Sequence, residues 1–248
     1  MLTPAELIFA AVTIFVGATV FSTVGFGIGV TTIPVLLLVF DPQTAVVVVN
    51  GVSLPMFCLV IYQTRRHVNF REMVPISFAG FWGIPVGVFF LSSANVSLLR
   101  ISTATLIILL TLLAAFNVRW AMPRNRAAGL WIGFAAGVML TASGVGGALM
   151  VLAMLARDLQ RQALRGSLAL YFLAVEGVAV AGYGVAGLYT TERIVLTLAV
   201  TVPVILGFVL ATAIGRRMNE RVFRRLVIGT VIVTSLVVVA REISGFLA

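Results

Sequence analysis

Ser22-Thr23-Val24-Gly25-Phe26-Gly27-Ile28-Gly29-Val30-Thr31-Thr32 breaks an apolar stretch that runs from residue 5 to residue 40. That stretch is too long for one membrane crossing, which takes ~20 residues, and awkward for two. A second stretch, 127–156, has the same problem and a near copy of the break: Thr141-Ala142-Ser143-Gly144-Val145-Gly146-Gly147. Glycine weakens a helix by ~1 kcal/mol per residue and allows backbone angles that other residues avoid. Both stretches therefore read as helical hairpins or broken helices with the glycines at the turn.

A shift of 119 residues carries Gly25–Ile28 onto Gly144–Gly147 and Thr23-Val24 onto Ala142-Ser143. The same shift brings Gln43-Thr44-Ala45 within one position of Arg161-Gln162-Ala163, and sets Val68-Asn69-Phe70 against Gly187-Leu188-Tyr189. Matches in a common order at a near-constant offset point to an internal duplication.

The rest of the chain supplies the setting. Of 248 residues, 61% are hydrophobic and only 10% charged, and the mean hydropathy is +1.15. A soluble domain has about 25% charged residues, so a water-facing surface is excluded and a polytopic membrane protein is expected. Apolar spans fall at roughly 43–63, 73–91, 98–118, 166–188, 194–214 and 226–244. The N-terminal residues lack a basic segment and an early small-residue cleavage site, and read as a retained first span. Cys58 is the only cysteine, so no intrachain disulfide exists.

The net charge of +9 is carried wholly by arginine. Nucleic acid is not the expected partner, because these cations lie in short strips between apolar runs instead of clustering with lysines on one face. Fourteen of the 17 fall in loops 64–72, 119–126, 157–165 and 215–225, which the positive-inside rule makes cytoplasmic. Loop 64–72 is then inside while its counterpart near 189–193 is outside, so the two halves are expected to be inverted. If each glycine-broken stretch crossed only once, loops 157–165 and 215–225 would move outside with their arginines; treating both as hairpins removes the conflict. The expected architecture is all-α: a first transmembrane repeat over 1–118, a cytoplasmic linker at 119–126 and a second repeat over 127–248. Each repeat has about five helical segments, and both termini are outside. The shorter hairpin arms cannot cross fully at 1.5 Å per residue, so the glycine tips are expected within the membrane and facing one another.

Non-helical backbone at membrane depth is tolerated only where protein or water satisfies it. In transporters with inverted repeats, broken helices at the repeat interface form the substrate site, and helix-start N–H groups receive anions. Candidate binding residues at the first tip are Ser22, Thr23, Gly25, Phe26, Gly27, Gly29 and Thr31; at the second they are Thr141, Ser143, Gly144, Gly146 and Gly147. The alternative is that the glycines serve close helix packing, as Gly83-xxx-Gly87 and Gly133-xxx-Gly137 suggest. Asn50 and Ser53 in one half, and Ser167 and Tyr171 in the other, join the candidates by their place in the repeat. Asn50 is costly in lipid unless it meets a cavity or a neighbouring helix, and both readings stay open.

Glu176 is the only carboxyl deep in a span. It is a candidate for proton coupling, or alternatively a protonated acid bridging two helices. Arg165, at the cytoplasmic start of its helix, either guides an anion or signals topology. His67, beside Arg65 and Arg66, reads as an interfacial histidine. No enzyme is expected: one histidine, one cysteine and one buried acid form neither a metal cluster nor a catalytic triad, and no cofactor or metal is implied.

The two glycine breaks, with Pro34 after the first and Gln162-Ala163-Leu164-Arg165-Gly166-Ser167-Leu168 after the second, resemble the TauE/SafE family of sulfite and sulfonate exporters. The resemblance covers nearly the whole chain; Ile28 departs from it at a position that is often glycine. It implies export of a small anionic substrate (sulfite, sulfoacetate or a related organosulfonate) from the bacterial cytoplasm across the inner membrane by alternating access. A channel-like anion permease, or a membrane-embedded subunit of a larger complex, is the competing reading.

Overall fold

A computed structural model describes residues 2–24, 27–115, 126–155, 160–214, 229, 231–233, 235–240 and 244. Among these residues the structure is helical and has no strand. The order of elements is α1 (Pro4–Val24), α2 (Ile28–Leu36), α3 (Pro42–Thr64), α4 (Phe70–Ser93), α5 (Val96–Ala115), α6 (Arg126–Ser143), α7 (Gly146–Leu155), α8 (Arg161–Val185) and α9 (Thr191–Ile214). Helical residues 231–233 and 235–240 follow. The protein is a multi-pass membrane protein: seven of its helices (α1, α3, α4, α5, α6, α8 and α9) contain stretches long and apolar enough to cross a bilayer. The expected linker 119–126 lies outside the described residues except for Arg126, which opens α6.

The order long helix, short helix, long helices occurs twice, and the glycine breaks fall between the long and the short member each time. Helix α2 has 9 residues and α7 has 10, which gives each ~15 Å of rise, about half the hydrocarbon thickness. Neither can span. Gly27 (φ 95°) and Gly144 (φ 68°) adopt the left-handed backbone region at the two turns, where a side chain would be strained. The structure thus has a reason for glycine at both positions.

Small residues set the closest helix contacts. Along α4 and α6, Gly133 meets the Ile76 carbonyl, Gly83 meets Phe134, Gly137 and Val138, and Gly87 meets Thr141. The numbers rise together, so these helices run parallel. On the other side of the molecule Gly207 of α9 lies against Phe15 and Ala18 of α1, and Ser22 reaches the Phe208 carbonyl. The shift of 119 residues carries α4 onto α9 and α1 onto α6, so the two pairings are counterparts. Without a hydrophobic drive between helices in lipid, such close approach is the main source of attraction.

Helices α3 and α8 pack through the middle. Asn50 contacts Tyr183, whereas Thr64 and Val68 lie on Gly166, so one helix rises in number while the other falls. The pair is antiparallel. The core gathers around it: Val46–Val49, Val52, Met56 and Phe57 of α3 are buried, as are Leu168, Tyr171, Phe172, Val175 and Tyr183 of α8. Outward-facing Trp82, Phe89, Trp131 and Leu198 are exposed apolar residues, as befits a lipid-facing surface.

Arg193, at the start of α9, ties several chain ends together. Its Nε donates to Thr44 Oγ1 at 2.9 Å, Nη1 to the Leu188 carbonyl at 2.8 Å, and Nη2 to Gln43 Oε1 at 3.0 Å. Nη2 also meets Asp41 Oδ1 at 3.3 Å. Asp41 caps α3 by accepting from the Thr44 N–H, and Gln43 Nε2 donates to the Leu91 carbonyl.

Candidate functional site

The two glycine turns meet. A Cβ built on Gly29 would overlap the Gly144 carbonyl oxygen, and one on Gly144 would overlap the Ile33 side chain. Helix α2 enters from the α3 end and α7 from the α8 end, and the two short helices start next to each other inside the bundle. Between them lies a narrow cleft, open at its mouth, whose interior of about 20 Å³ holds little more than one water molecule. It is lined by Gly27–Val30, Gly144, Val145, Gly147, Phe21, Phe57, Leu140, Phe172 and Glu176. The first turn of any helix leaves N–H groups without intrahelical acceptors. Among the described residues, the first backbone bond back to the turn is from Thr31 N to the Gly27 carbonyl in α2, and from Ala148 N to the Val145 carbonyl in α7. Ile28, Gly29 and Val30 of the first turn and Val145 and Gly147 of the second line the cleft.

Half of the lining residues form pairs related by the internal repeat. The shift that aligns the glycine turns also carries Phe21 onto Leu140 and Ile28 onto Gly147, and it carries Phe57 onto Glu176. Only the last pair changes an apolar group for an acid. Glu176 is 3% exposed and its Oε2 has no hydrogen-bond partner. No cationic side chain lines the cleft among the described residues.

Of the residues singled out in the sequence, Gly27, Gly29, Gly144, Gly147 and Glu176 come together in the cleft. Gly146 stands at the second turn but faces α6, where a Cβ would overlap the Ala136 carbonyl. Gly25 and Phe26 lie outside the described residues, and Thr23 is described only as part of α1. Most of the candidate hydroxyls are engaged with backbone. Thr31 donates to the Gly27 and Ile28 carbonyls, Ser53 to Val49, Thr141 to Gly137 and Ser143 to Met139. These are back-bonds to a residue's own helix, a common recourse of Ser and Thr in apolar surroundings. Ser22 donates to the Phe208 carbonyl at 3.2 Å and Tyr171 to the Gly133 carbonyl at 2.6 Å. Ser167 is buried in the second turn of α8 and is not part of the cleft lining, and Arg165 is half-buried one residue before Gly166.

Asn50 bridges helices. Its Nδ2 donates to the Leu140 carbonyl at 3.2 Å and to the Tyr183 hydroxyl at 2.8 Å. Tyr183 in turn donates to the Thr141 carbonyl at 2.9 Å. Leu140 and Thr141 belong to the last turn of α6, where carbonyls run out of intrahelical donors; the Leu140 carbonyl still accepts from the Gly144 N–H at 2.9 Å. Asn50 adds a second donor to Leu140 and Tyr183 supplies one to Thr141, which ties this end of α6 to α3 and α8. Sequence reasoning did not single out Tyr183, Phe21, Phe57 or Phe172. The shift of 119 residues was the available signal for Phe21 and Phe57, since it pairs them with Leu140 and Glu176.

A family model described as sulfite exporter TauE/SafE matches residues 9–238 of the chain. No curated protein matches the chain at a significant level, and no solved structure does.

Proposed function

The chain belongs to the sulfite exporter TauE/SafE family, whose members are transporters and not enzymes, and from that premise we propose that it exports small sulfur-containing anions by alternating access. The substrates in this reading are sulfite, sulfoacetate or a related organosulfonate, and the membrane is the bacterial inner membrane. The observation that carries the reading is the meeting of two broken helices whose N-terminal turns border one cleft, because helix starts offer N–H donors and a partial positive charge to an anion. Glycine at these turns lets an oxyanion approach the backbone closely. The hydroxyls of Ser22, Thr31, Thr141 and Ser143 contribute to the anion only by exchanging their present backbone acceptors for it.

The halves 1–118 and 127–248 act as inverted repeats in this proposal, joined by a cytoplasmic linker at 119–126. The antiparallel α3–α8 pair and the exchanged α1–α9 and α4–α6 pairings support the inversion. Rocking of one set of helices against the other would open the cleft to each side in turn. An interior-negative potential drives an anion outward by ~2.3 kcal/mol per charge per 100 mV, so export needs no coupling ion in principle. Arg165 guides anions toward the cytoplasmic mouth, and Glu176 is the group through which protons enter the cycle.

Purified protein in liposomes tests the proposal with labelled sulfite and sulfoacetate. Saturable counterflow is the expected result. Ohmic single-channel currents would replace the transporter with a channel-like permease, and absence of any flux from the purified chain would favour a subunit of a larger assembly.

A further inference from the structure

Glu176 sits near the middle of α8 on the wall of the cleft, 3% exposed, with Oε2 unpartnered. Among the described residues, the groups that share the cleft wall with it are uncharged. Helices α1, α3 and α6 present Phe21, Phe57 and Leu140. The two turns present glycine, isoleucine and valine, and α4 meets α8 through Gly80, Ile84 and Val88. The titratable neighbours on its own helix are Tyr171 and Tyr183, and their hydroxyls already donate to the Gly133 and Thr141 carbonyls. Among the described residues, no charged group lines the cleft to balance a carboxylate.

The charge available in the cleft comes from the two helix starts. Each helix N-terminus is equivalent to roughly +0.5 of a unit charge, so two together match about one negative charge and not two. A monoanion beside an ionised Glu176 would leave a surplus negative charge in a low-dielectric site, where like charges within a few ångströms do not both persist. A protonated carboxyl, by contrast, adds a hydrogen-bond donor where the cleft otherwise offers only backbone N–H groups.

We propose that Glu176 is a direct ligand of the transported anion in its protonated form, so that one anion and one proton occupy the cleft together. The inference rests on the anion-site reading above and fixes the sign of its proton linkage. The anion-bound protein holds the Glu176 proton more tightly than the empty protein. Anion binding therefore takes up a proton, and affinity falls as pH rises through the range in which the empty site loses that proton. An exchange cycle in which the proton displaces the anion is incompatible with this arrangement.

The test uses the full chain in detergent with isethionate and methanesulfonate, whose single charge does not change over the range examined. Binding is followed calorimetrically from about pH 5.5 to about pH 8.5 in buffers of different ionisation enthalpy. The expected result is uptake of up to about one proton per anion, with affinity weakening up to about tenfold per pH unit. Glu176→Gln, which keeps an uncharged donor, should bind both sulfonates with a pH-independent affinity and take up no proton. Proton release on binding, or a pH-independent affinity in the unsubstituted protein, would overturn the inference while leaving the anion site standing. Loss of sulfonate binding in a folded Glu176→Gln protein would also overturn it. Failure of the unsubstituted protein to bind either sulfonate, or sulfite, at any pH would instead remove the anion site itself. The proton count on the unsubstituted protein decides the matter even if the variant does not fold.

Discussion

Gly29 and Gly144 face each other so closely that a single methyl on the first would overlap the carbonyl oxygen of the second. The residues are 115 positions apart in the chain, and each belongs to a separate break in an apolar stretch. Their contact is what places two helix starts around one space. Gly29→Ala should therefore force the turns apart, with a cost of about 1–3 kcal/mol for overpacking, read as a lower melting temperature in detergent. Gly144→Ala adds left-handed backbone strain of ~1 kcal/mol to its overlap with Ile33. Pairing it with Ile33→Val should recover part of the loss, and strict additivity would argue against the contact.

Gly27 separates conformation from packing. Its φ is 95°, yet a Cβ there would meet nothing within 4 Å. Gly27→Ala should cost only about 1 kcal/mol of stability while placing a methyl at the cleft, so transport should fall by more than the melting temperature suggests. Gly177, also with open space around it and without a positive φ, is the control. Gly177→Ala, inside α8, should leave transport unchanged and raise stability by up to about 1 kcal/mol.

The Asn50–Tyr183–Thr141 chain predicts coupled losses. Tyr183→Phe removes the donor to Thr141 and an acceptor from Asn50, and should cost about 1 kcal/mol, the scale of interhelical hydrogen bonds in membranes. Asn50→Ala should cost as much or more, because Leu140 loses a donor as well. The double variant should be less damaging than the sum, by an interaction energy of at least about 0.5 kcal/mol in thermal or denaturant unfolding.

Arg193 and Asp41 should respond unequally to substitution. The Arg193 side chain is 11% exposed and the Asp41 side chain 41%, and Arg193 serves four partners. Asp41→Asn should cost less than about 1 kcal/mol, as expected of a solvent-screened pair. Arg193→Ala should cost about 1–3 kcal/mol, because buried polar groups of Gln43, Thr44 and Leu188 lose their donor. Equal effects in thermal unfolding would show that the ion pair, and not the hydrogen-bonded cluster, holds these ends together.

Much of this architecture was legible because glycine and arginine carry strong local meaning. The expected spans 43–63 and 194–214 lie within α3 and α9, and the two glycine runs fall at the two breaks. The shift of 119 residues pairs the short helices α2 and α7. The walls of the cleft were harder to read. Phe21, Phe57 and Phe172 look like any buried aromatic residue in an apolar helix, and only the folded packing turns them toward the turns. The hydroxyls were ambiguous for another reason: Ser or Thr in a membrane helix satisfies itself on the preceding turn as readily as on a ligand, and the sequence does not distinguish the two. Tyr183 carries no motif, and its role follows from the broken end of α6, which is 40 or so residues away.

The exchanged pairings have a mechanical consequence. Helix α1 is seated on α9 and α6 on α4 through backbone-close contacts at Gly207, Gly83 and Gly137, so each sequence half carries one helix whose seat belongs to the other. The blocks that travel as units are thus woven from both halves, and a chain cut between α5 and α6 should yield two fragments that must find each other before either is complete.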